Sequence, residues 1–576
     1  MNEQTLSANV SAKANLIWAI ADKLTGVYKP HEYGEVILPL TVIRRFDSVL
    51  ADTKQAVIAK NKEIPDGPLK EKMLCRAAGH PFFNISPFTF ETLVNSPDRI
   101  EENFRAYLNG FSENVRQIIE KFEFDKQIKR MAEKEILYIV LKEFTSPNAD
   151  LHPDRLSNLE MGYIFEEIIR RFSEAHNEDA GQHYTPREVI RLMVNILFLN
   201  DRDILSENVA KSVYDPACGT GGMLSVAQEY LKELNSDAEL LCFGQEINDQ
   251  TFAVCKADIL IKGGDADQIK NGNTLSNDLF PTDRFDYILS NPPFGREWKN
   301  EKAKVEEEAK RGFGGRFGAG LPAIGDGQML FLETALAKMN PNGSRVAIIH
   351  NGSPLFAGDA GSGPSEIRRY LLENDLLEAI IALPNDIFYN TGIATYIWVL
   401  ANAKKKPAHR KGKVQLIDAS KMFVKRRKSL GNKRNDISPD YIREITKIYG
   451  DFKETEISRI FDNEEFGYRK ITVERPLKDE SGKPVLKKGK PVADASLRDY
   501  ETIPLNEDVQ SYFEREVLPF APDAWIDESK TKIGYEIPFT RYFYKYTPPR
   551  PAAEVLSEIR TIENELKDAL SELLNG

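Results

Sequence analysis

Val213-Tyr214-Asp215-Pro216-Ala217-Cys218-Gly219-Thr220-Gly221-Gly222 is the stretch whose reading decides the fold. It begins as a short buried strand and ends by opening a helical pattern, Met223-Leu224-Ser225-Val226-Ala227. Its glycines let the backbone turn tightly and approach a ligand with no side chain in the way. The N–H groups at the helix start then face that ligand. The spacing is not the GxGxxG dinucleotide pattern, and no Gly-Lys-Ser/Thr follows to cradle a triphosphate. A second strand, Leu240-Leu241-Cys242-Phe243-Gly244-Gln245, ends at Glu246, whose carboxylate can accept hydrogen bonds from both hydroxyls of a ribose. A third loop, Asn271-Gly272-Asn273-Thr274-Leu275, is placed to meet an adenine edge. Three loops at the carboxyl ends of adjacent strands describe a nucleoside crevice in an open α/β sheet.

Asn291-Pro292-Pro293-Phe294 follows another short buried strand, Phe285-Asp286-Tyr287-Ile288-Leu289-Ser290. Proline lacks a backbone N–H, fixes its own φ and pushes the preceding residue out of the helical region. Asn291 therefore stands on a stiff, extended strand tip. Its amide offers one acceptor oxygen and two donors, and the carbonyls of Asn291 and Pro292 lie close by. That set suits holding the NH2 of a nucleobase while it attacks an electrophile. A plain strand-ending turn explains the tetrapeptide alone equally well; the three upstream loops tip the balance.

These residues resemble those of the amino-group DNA methyltransferases that use S-adenosylmethionine to modify adenine N6. Within that group they are most similar to the modification (methylation) subunit of type I restriction-modification systems. The resemblance spans nearly the whole chain. It takes in Trp18, Glu32-Tyr33 and Ile37-Leu38-Pro39-Leu40, then Gln182-His183-Tyr184-Thr185-Pro186-Arg187, Asp215 to Gly222, Asn291 to Phe294 and Ile380-Ile381-Ala382-Leu383-Pro384. It closes with Gly534-Tyr535-Glu536-Ile537 and Arg541-Tyr542-Phe543-Tyr544.

The resemblance implies an N-terminal helical domain over 1–155 and a Rossmann-like α/β, S-adenosylmethionine-dependent methyltransferase domain over 156–475. A C-terminal region over 476–576 would end in a partner-binding helix. The implied cofactor is S-adenosyl-L-methionine, held by Asp215, Gly219, Thr220, Gly221, Gly222, Glu246 and Asn273. Gln182, His183, Tyr184, Thr185, Pro186 and Arg187 would lie beside its methionine half. Asn291, Pro292, Pro293 and Phe294 form the implied catalytic tip. The family often carries an acid in the adenine-facing loop where this chain has Asn273, which can still accept from an amino group but lacks the charge. The implied partners are double-stranded DNA, a separate specificity subunit, two copies of this chain per specificity subunit, and a restriction (helicase–nuclease) subunit.

Composition fits a soluble globular protein of about two to four domains: 576 residues, 41% hydrophobic and 29% charged. No apolar run is long enough for a membrane span, and Met1-Asn2-Glu3-Gln4 does not open a signal peptide. The four cysteines show neither metal-ligand spacing nor a disulfide framework, so no metal is expected and a reducing cytoplasm is the expected compartment. The net charge of -11, from 77 basic and 88 acidic residues, is awkward for a lone DNA binder. It implies that a partner supplies much of the phosphate contact, helped by basic groups gathered over 404–434.

Residues 1–155 read as helical, with Asn109-Gly110 as a helix stop and Pro39 at a first turn or kink. Thr185, Pro186 and Glu188 fit an N-cap, a first-turn proline and a capping-box acid. Arg187 pairs with either an acidic side chain or the cofactor carboxylate. Strands are expected near 212–215, 241–245, 285–290, 345–350, 378–382 and 393–400, and helices over 435–475. The stretch from Phe294 to Gln328 reads as a long Gly-, Lys- and Glu-rich loop that either orders on DNA or stays a surface loop. A base flipped out of a duplex needs an aromatic face; Phe294 and Phe388 are the expected ones, although a core position explains Phe388 almost as well. Glu554 to Leu574 has an apolar stripe at Val555, Ile559, Ile562, Leu566, Ala569 and Leu573, suited to a partner helix or to docking on its own domain. Other amino acceptors (cytosine N4, RNA or protein) and a noncatalytic assembly role are the alternatives.

Overall fold

The computed structural model describes residues 20–146, 149–176, 185–199, 201–389, 391–544, 546 and 550–575. Trp18 lies outside them. The chain packs into two compact units, Met1–Ile537 and Pro538–Gly576.

The centre of the first unit is a nine-stranded sheet. Its strands are β1 (Ala210–Asp215), β2 (Glu239–Glu246), β3 (Ile269–Asn271), β4 (Tyr287–Ser290), β5 (Arg345–Asn351), β6 (Leu377–Ala382), β7 (Thr395–Ala401) and β8 (Lys413–Asp418). A hairpin outside the sheet, β9 (Val424–Leu430) and β10 (Lys433–Asp436), carries much of the basic run. The last sheet strand is β11 (Ser458–Asp462). The order is β11-β8-β6-β7-β5-β4-β1-β2-β3. β7 runs antiparallel between β5 and β6, and β11 antiparallel to β8. All other neighbours are parallel.

From β1 the chain adds β2 and β3 on one side, then crosses to add β4 and β5 on the other. The carboxyl ends of β1 and β4 therefore flank the switch point where such sheets bind ligands. β5, β6 and β7 are buried along almost their whole length, which is why their central residues, Val346 to Ile349, Ala379 to Ala382 and Tyr396 to Ala401, read as continuous apolar runs rather than alternating ones. Arg345 on β5 reaches across β7 to Glu378 on β6 at 2.8 Å, an ion pair closed off from water.

The helices Gly34–Leu50, Ile100–Asn109, Glu113–Lys121, Phe124–Glu133 and Leu137–Phe144 form the N-terminal part. Gly34–Leu50 is buried almost end to end, and Pro39 sits inside it rather than in its first turn. The hydrophobic core runs without a break from these helices into the sheet. Lys121 donates to Asn271 Oδ1 at 2.8 Å, so the helical part reaches the end of β3.

Two expectations fail here. Only Pro439–Asp451 is an α-helix within 435–475; the end of β10, β11, a 3-10 turn, the strand Gly467–Glu474 and connecting loops make up the rest. The Gly467–Glu474 strand pairs with Asp499–Pro504, Trp525–Ile526 and Lys532–Tyr535 around a small core of Ile471, Val473, Ile503, Phe513 and Val517. Isoleucine, valine, threonine and tyrosine at these positions suit a half-buried pleated surface better than a helix. The stretch after Phe294 is no bare loop either. It contains the helix Lys302–Ala309, and Trp298 Nε1 donates to the Ala323 carbonyl at 2.9 Å. Arg316 is buried, paired to Glu308 at 2.7 Å and bonded to the Thr274 and Leu275 carbonyls at 2.6 and 3.1 Å.

The second unit holds the helices Phe539–Phe543 and Ala552–Asn575. Leu556, Ile559, Ile562, Leu566 and Leu570 of the longer one are exposed.

Candidate functional site

β1 delivers Asp215 to the switch point, buried beneath the glycine turn. Its Oδ1 accepts from the Ala217 N–H at 3.0 Å and from the Ser290 hydroxyl, at the end of β4, at 2.9 Å. Burial outweighs these bonds and pushes the carboxyl up to about 7. Gly219 and Gly221 both take left-handed φ, +54° and +82°, which glycine alone adopts without strain. A Cβ on Gly221 would come within 2.7 Å of Cys255 Sγ, whereas one on Gly219 would meet nothing within 4 Å. Gly221 is needed for close packing against Cys255, whereas Gly219 faces open space.

β2 ends at Glu246, only 9% exposed. One carboxylate oxygen accepts from the Gly219 N–H at 2.8 Å, the other from the Asn248 N–H at 2.7 Å. Desolvation raises this carboxyl, and the Asn248 and Gly219 N–H groups, the Thr251 hydroxyl and the Ile247 N–H oppose the rise. Glu246 thus holds the glycine turn and lines the cleft beside it. In the loop after β3, Thr274 donates to the Pro216 carbonyl. Asn273 Oδ1 accepts from the Leu275 and Ser276 N–H groups at 3.0 and 3.3 Å, and its Nδ2 donates to Glu301 at 2.7 Å.

β4 ends at the Asn291 tip. Asn291 Nδ2 donates to the Thr185 hydroxyl at 2.9 Å. Thr185 is therefore not the helix cap expected from its local pattern: Pro186 precedes the helix Arg187–Phe198, and no side chain caps it. Glu188 pairs instead with Lys433 of the basic hairpin. Arg187 pairs with Glu166 at 2.9 Å and lies over the Tyr163 ring, the acidic partner of the two that were open. Gln182, His183 and Tyr184 lie outside the described residues.

One cleft gathers Asp215, Gly219, Thr220, Gly222, Glu246, Asn273, Asn291, Pro293 and Thr185. Gly221, Pro186, Arg187 and Pro292 are not among the residues lining it. Phe294 is buried, and Phe388 is 1% exposed within the core, so neither ring forms the cleft wall in this conformation. The wall also contains residues that sequence patterns did not single out: Ile247, Arg296, Trp298, Glu301 and Phe331. Ile247 follows Glu246 directly and is 46% exposed; an apolar residue just after a strand-end acid was the available signal.

These groups suit a nucleoside with an aliphatic arm. A carboxylate stands where ribose hydroxyls would be, an apolar face stands beside it, and Gly219 leaves room. Arg296 is the one basic residue among the described residues lining the cleft, so it holds no cluster of charges for phosphates.

Comparison with known proteins agrees. The model of the N-6 DNA methylase family matches residues 157–472, and that of the HsdM N-terminal domain matches residues 13–144. The type I restriction enzyme MjaIX methylase subunit of Methanocaldococcus jannaschii is 26% identical over 467 residues, covering 77% of each chain. The HindI methylase subunit of Haemophilus influenzae is 26% identical over 402 residues, covering 68% of this chain and 83% of that one. The crystal structure of a type I methyltransferase subunit from Streptococcus thermophilus shares the fold, with TM-score 0.62 at 23% identity, covering 79% of this chain and 97% of the other. The chain belongs to the N-6 DNA methylase family of S-adenosylmethionine-dependent DNA methyltransferases, in the form found as type I methylase subunits.

Proposed function

We propose that this chain is the catalytic modification subunit of a type I restriction-modification assembly, methylating adenine N6 at DNA sites chosen by a separate specificity subunit. The observation that carries this reading is the convergence of Asp215, Gly219, Glu246 and Asn291 on one cleft. When bound, S-adenosylmethionine supplies an electrophilic methyl group on a sulfonium centre. Glu246 accepts the ribose hydroxyls, and the Asp215–Gly222 turn and Thr185 border the methionine arm. Asn291 and the Pro292 carbonyl accept the N–H groups of the target amine. An exocyclic adenine nitrogen is a poor nucleophile because its lone pair is delocalised into the ring. Acceptors on its two hydrogens favour a tetrahedral nitrogen and disperse the positive charge it gains before it sheds a proton. A stacked base cannot enter such a cleft, so the adenine must leave the duplex. Phe294 and Phe388 are the proposed aromatic faces for it, and both must shift to become so.

The relatives' names support the partners: a methylase subunit is one part of a larger enzyme. The acidic net charge supports a division of labour in which another subunit makes many of the phosphate contacts. Two copies of this chain per specificity subunit, a restriction subunit joining them, the C-terminal region from 476 onward as partner-facing, and a cytoplasmic location complete the proposal. No helix among the described residues is long and apolar enough to cross a membrane. Copurification from the native cell, followed by assay with labelled cofactor and DNA, tests it. The proposal expects a specificity subunit in the complex and label on adenine N6. Robust sequence-specific methylation by the lone chain, or label elsewhere, would refute it.

A further inference from the structure

The Asn273 side chain has no acceptor capacity to spare. The two lone pairs of its Oδ1 serve the Leu275 and Ser276 N–H groups, an arrangement that closes the loop after β3. Its Nδ2 donates to Glu301 Oε1. An amino group arriving at this edge of the cleft therefore finds Glu301, not Asn273, as its acceptor.

Glu301 is set up for that contact in three ways. It lines the same cleft as Glu246 and Ile247. It occupies the N-cap position of the helix Lys302–Ala309, yet its side chain accepts no N–H from that helix, whereas capping acids normally turn back onto their own first turn. It is drawn instead to Asn273 at 2.7 Å, and among the described residues it forms no ion pair. A carboxylate held by one amide on one oxygen keeps its second oxygen as a strong, charge-assisted acceptor.

We infer that Glu301 is the residue that recognises the 6-amino group of the cofactor's adenine, with Asn273 as the residue that positions it. The inference rests on the cleft being the S-adenosylmethionine site and adds the group that selects its base. A carboxylate accepts and does not donate, so it welcomes a 6-amino purine and repels the lone pairs of a 6-oxo one. The acid expected in the loop after β3 is thus supplied from a segment 28 residues further along the chain. This gives the ordered stretch after Trp298 a purpose in the site: its helix carries the acceptor to the cofactor.

The test is calorimetric binding by the full-length chain, without DNA, of S-adenosylhomocysteine and of its analogue lacking the 6-amino group. The wild type should prefer the amino ligand by about 10- to 100-fold, the loss expected for a hydrogen bond to a charged acceptor. Glu301→Ala should bring that ratio close to one, and Glu301→Gln, which keeps a neutral acceptor, should fall between. Neither change removes a helix-capping bond, and thermal melts check that both variants fold. A ratio near one in the wild type, or a wild-type ratio kept in Glu301→Ala, would overturn the role of Glu301. Failure of the wild type to bind either ligand would instead overturn the cofactor site itself, and this inference with it.

Discussion

The Asn291 amide and the Thr185 hydroxyl, 106 positions apart in the chain, are joined by a 2.9 Å hydrogen bond. It commits the donor edge of the amide and so fixes which edge carries the acceptor oxygen. Thr185 is a positioning residue for the catalytic tip. Thr185→Val keeps the shape and removes the hydroxyl, so it should slow methyl transfer by about 10-fold, the worth of one net hydrogen bond. Thr185→Ser should restore most of the rate. Single-turnover rates at saturating cofactor read this out, and an unchanged rate in the valine variant would remove Thr185 from the mechanism.

Glu246 has two tasks, accepting the Gly219 and Asn248 N–H groups and facing the ribose. Glu246→Ala should raise the dissociation constant for S-adenosylhomocysteine by about 10- to 100-fold. Glu246→Gln, which retains an acceptor for one backbone N–H, should raise it less. Calorimetric binding equal to wild type in the alanine variant would reject the ribose contact.

His350 is fully buried on β5, with Nδ1 against Gln328 Oε1 at 3.1 Å. Burial pushes its pKa down to about 3, from about 6.5 in an unfolded chain. Between those values the unfolded chain binds a proton that the folded one excludes. This residue's contribution to stability is therefore complete above about 6.5 and is lost as pH falls toward 3. His350→Asn keeps a donor toward Gln328 and removes the titration. Urea unfolding between pH 4 and 7 should show a slope against pH shallower by up to about 1.4 kcal/mol per unit. Identical slopes in both proteins would contradict the assignment.

The parts of the site legible in the sequence were those whose local chemistry is unusual. A glycine run before a helix, an acid ending a buried strand and Asn-Pro-Pro each restrict the backbone so strongly that few structures fit. The parts that escaped depend on contacts distant in sequence. Thr185-Pro186-Arg187-Glu188 satisfies a capping pattern on paper, but Thr185 serves Asn291 and Glu188 serves Lys433, 245 residues away. β3 has three residues, too few for any periodicity, so it read as part of a loop. Lys302–Ala309 buries only Val305, so its helix shows no apolar stripe, and Glu301 at its start went unnoticed. Phe388 fits a base-stacking position and a core position almost equally well by sequence, and its ring lies in the core. Tertiary packing overrode local preference in each case.

The central claim is that the Asn291 tip performs the chemistry while the rest of the cleft holds the cofactor. The direct measurement pairs cofactor binding with methyl incorporation into DNA for Asn291→Ala, in the complex purified from the native cell. The account predicts a cofactor dissociation constant close to wild type and incorporation lower by at least about 100- to 1000-fold. Near-normal incorporation, or cofactor binding lost in step with activity, would contradict it.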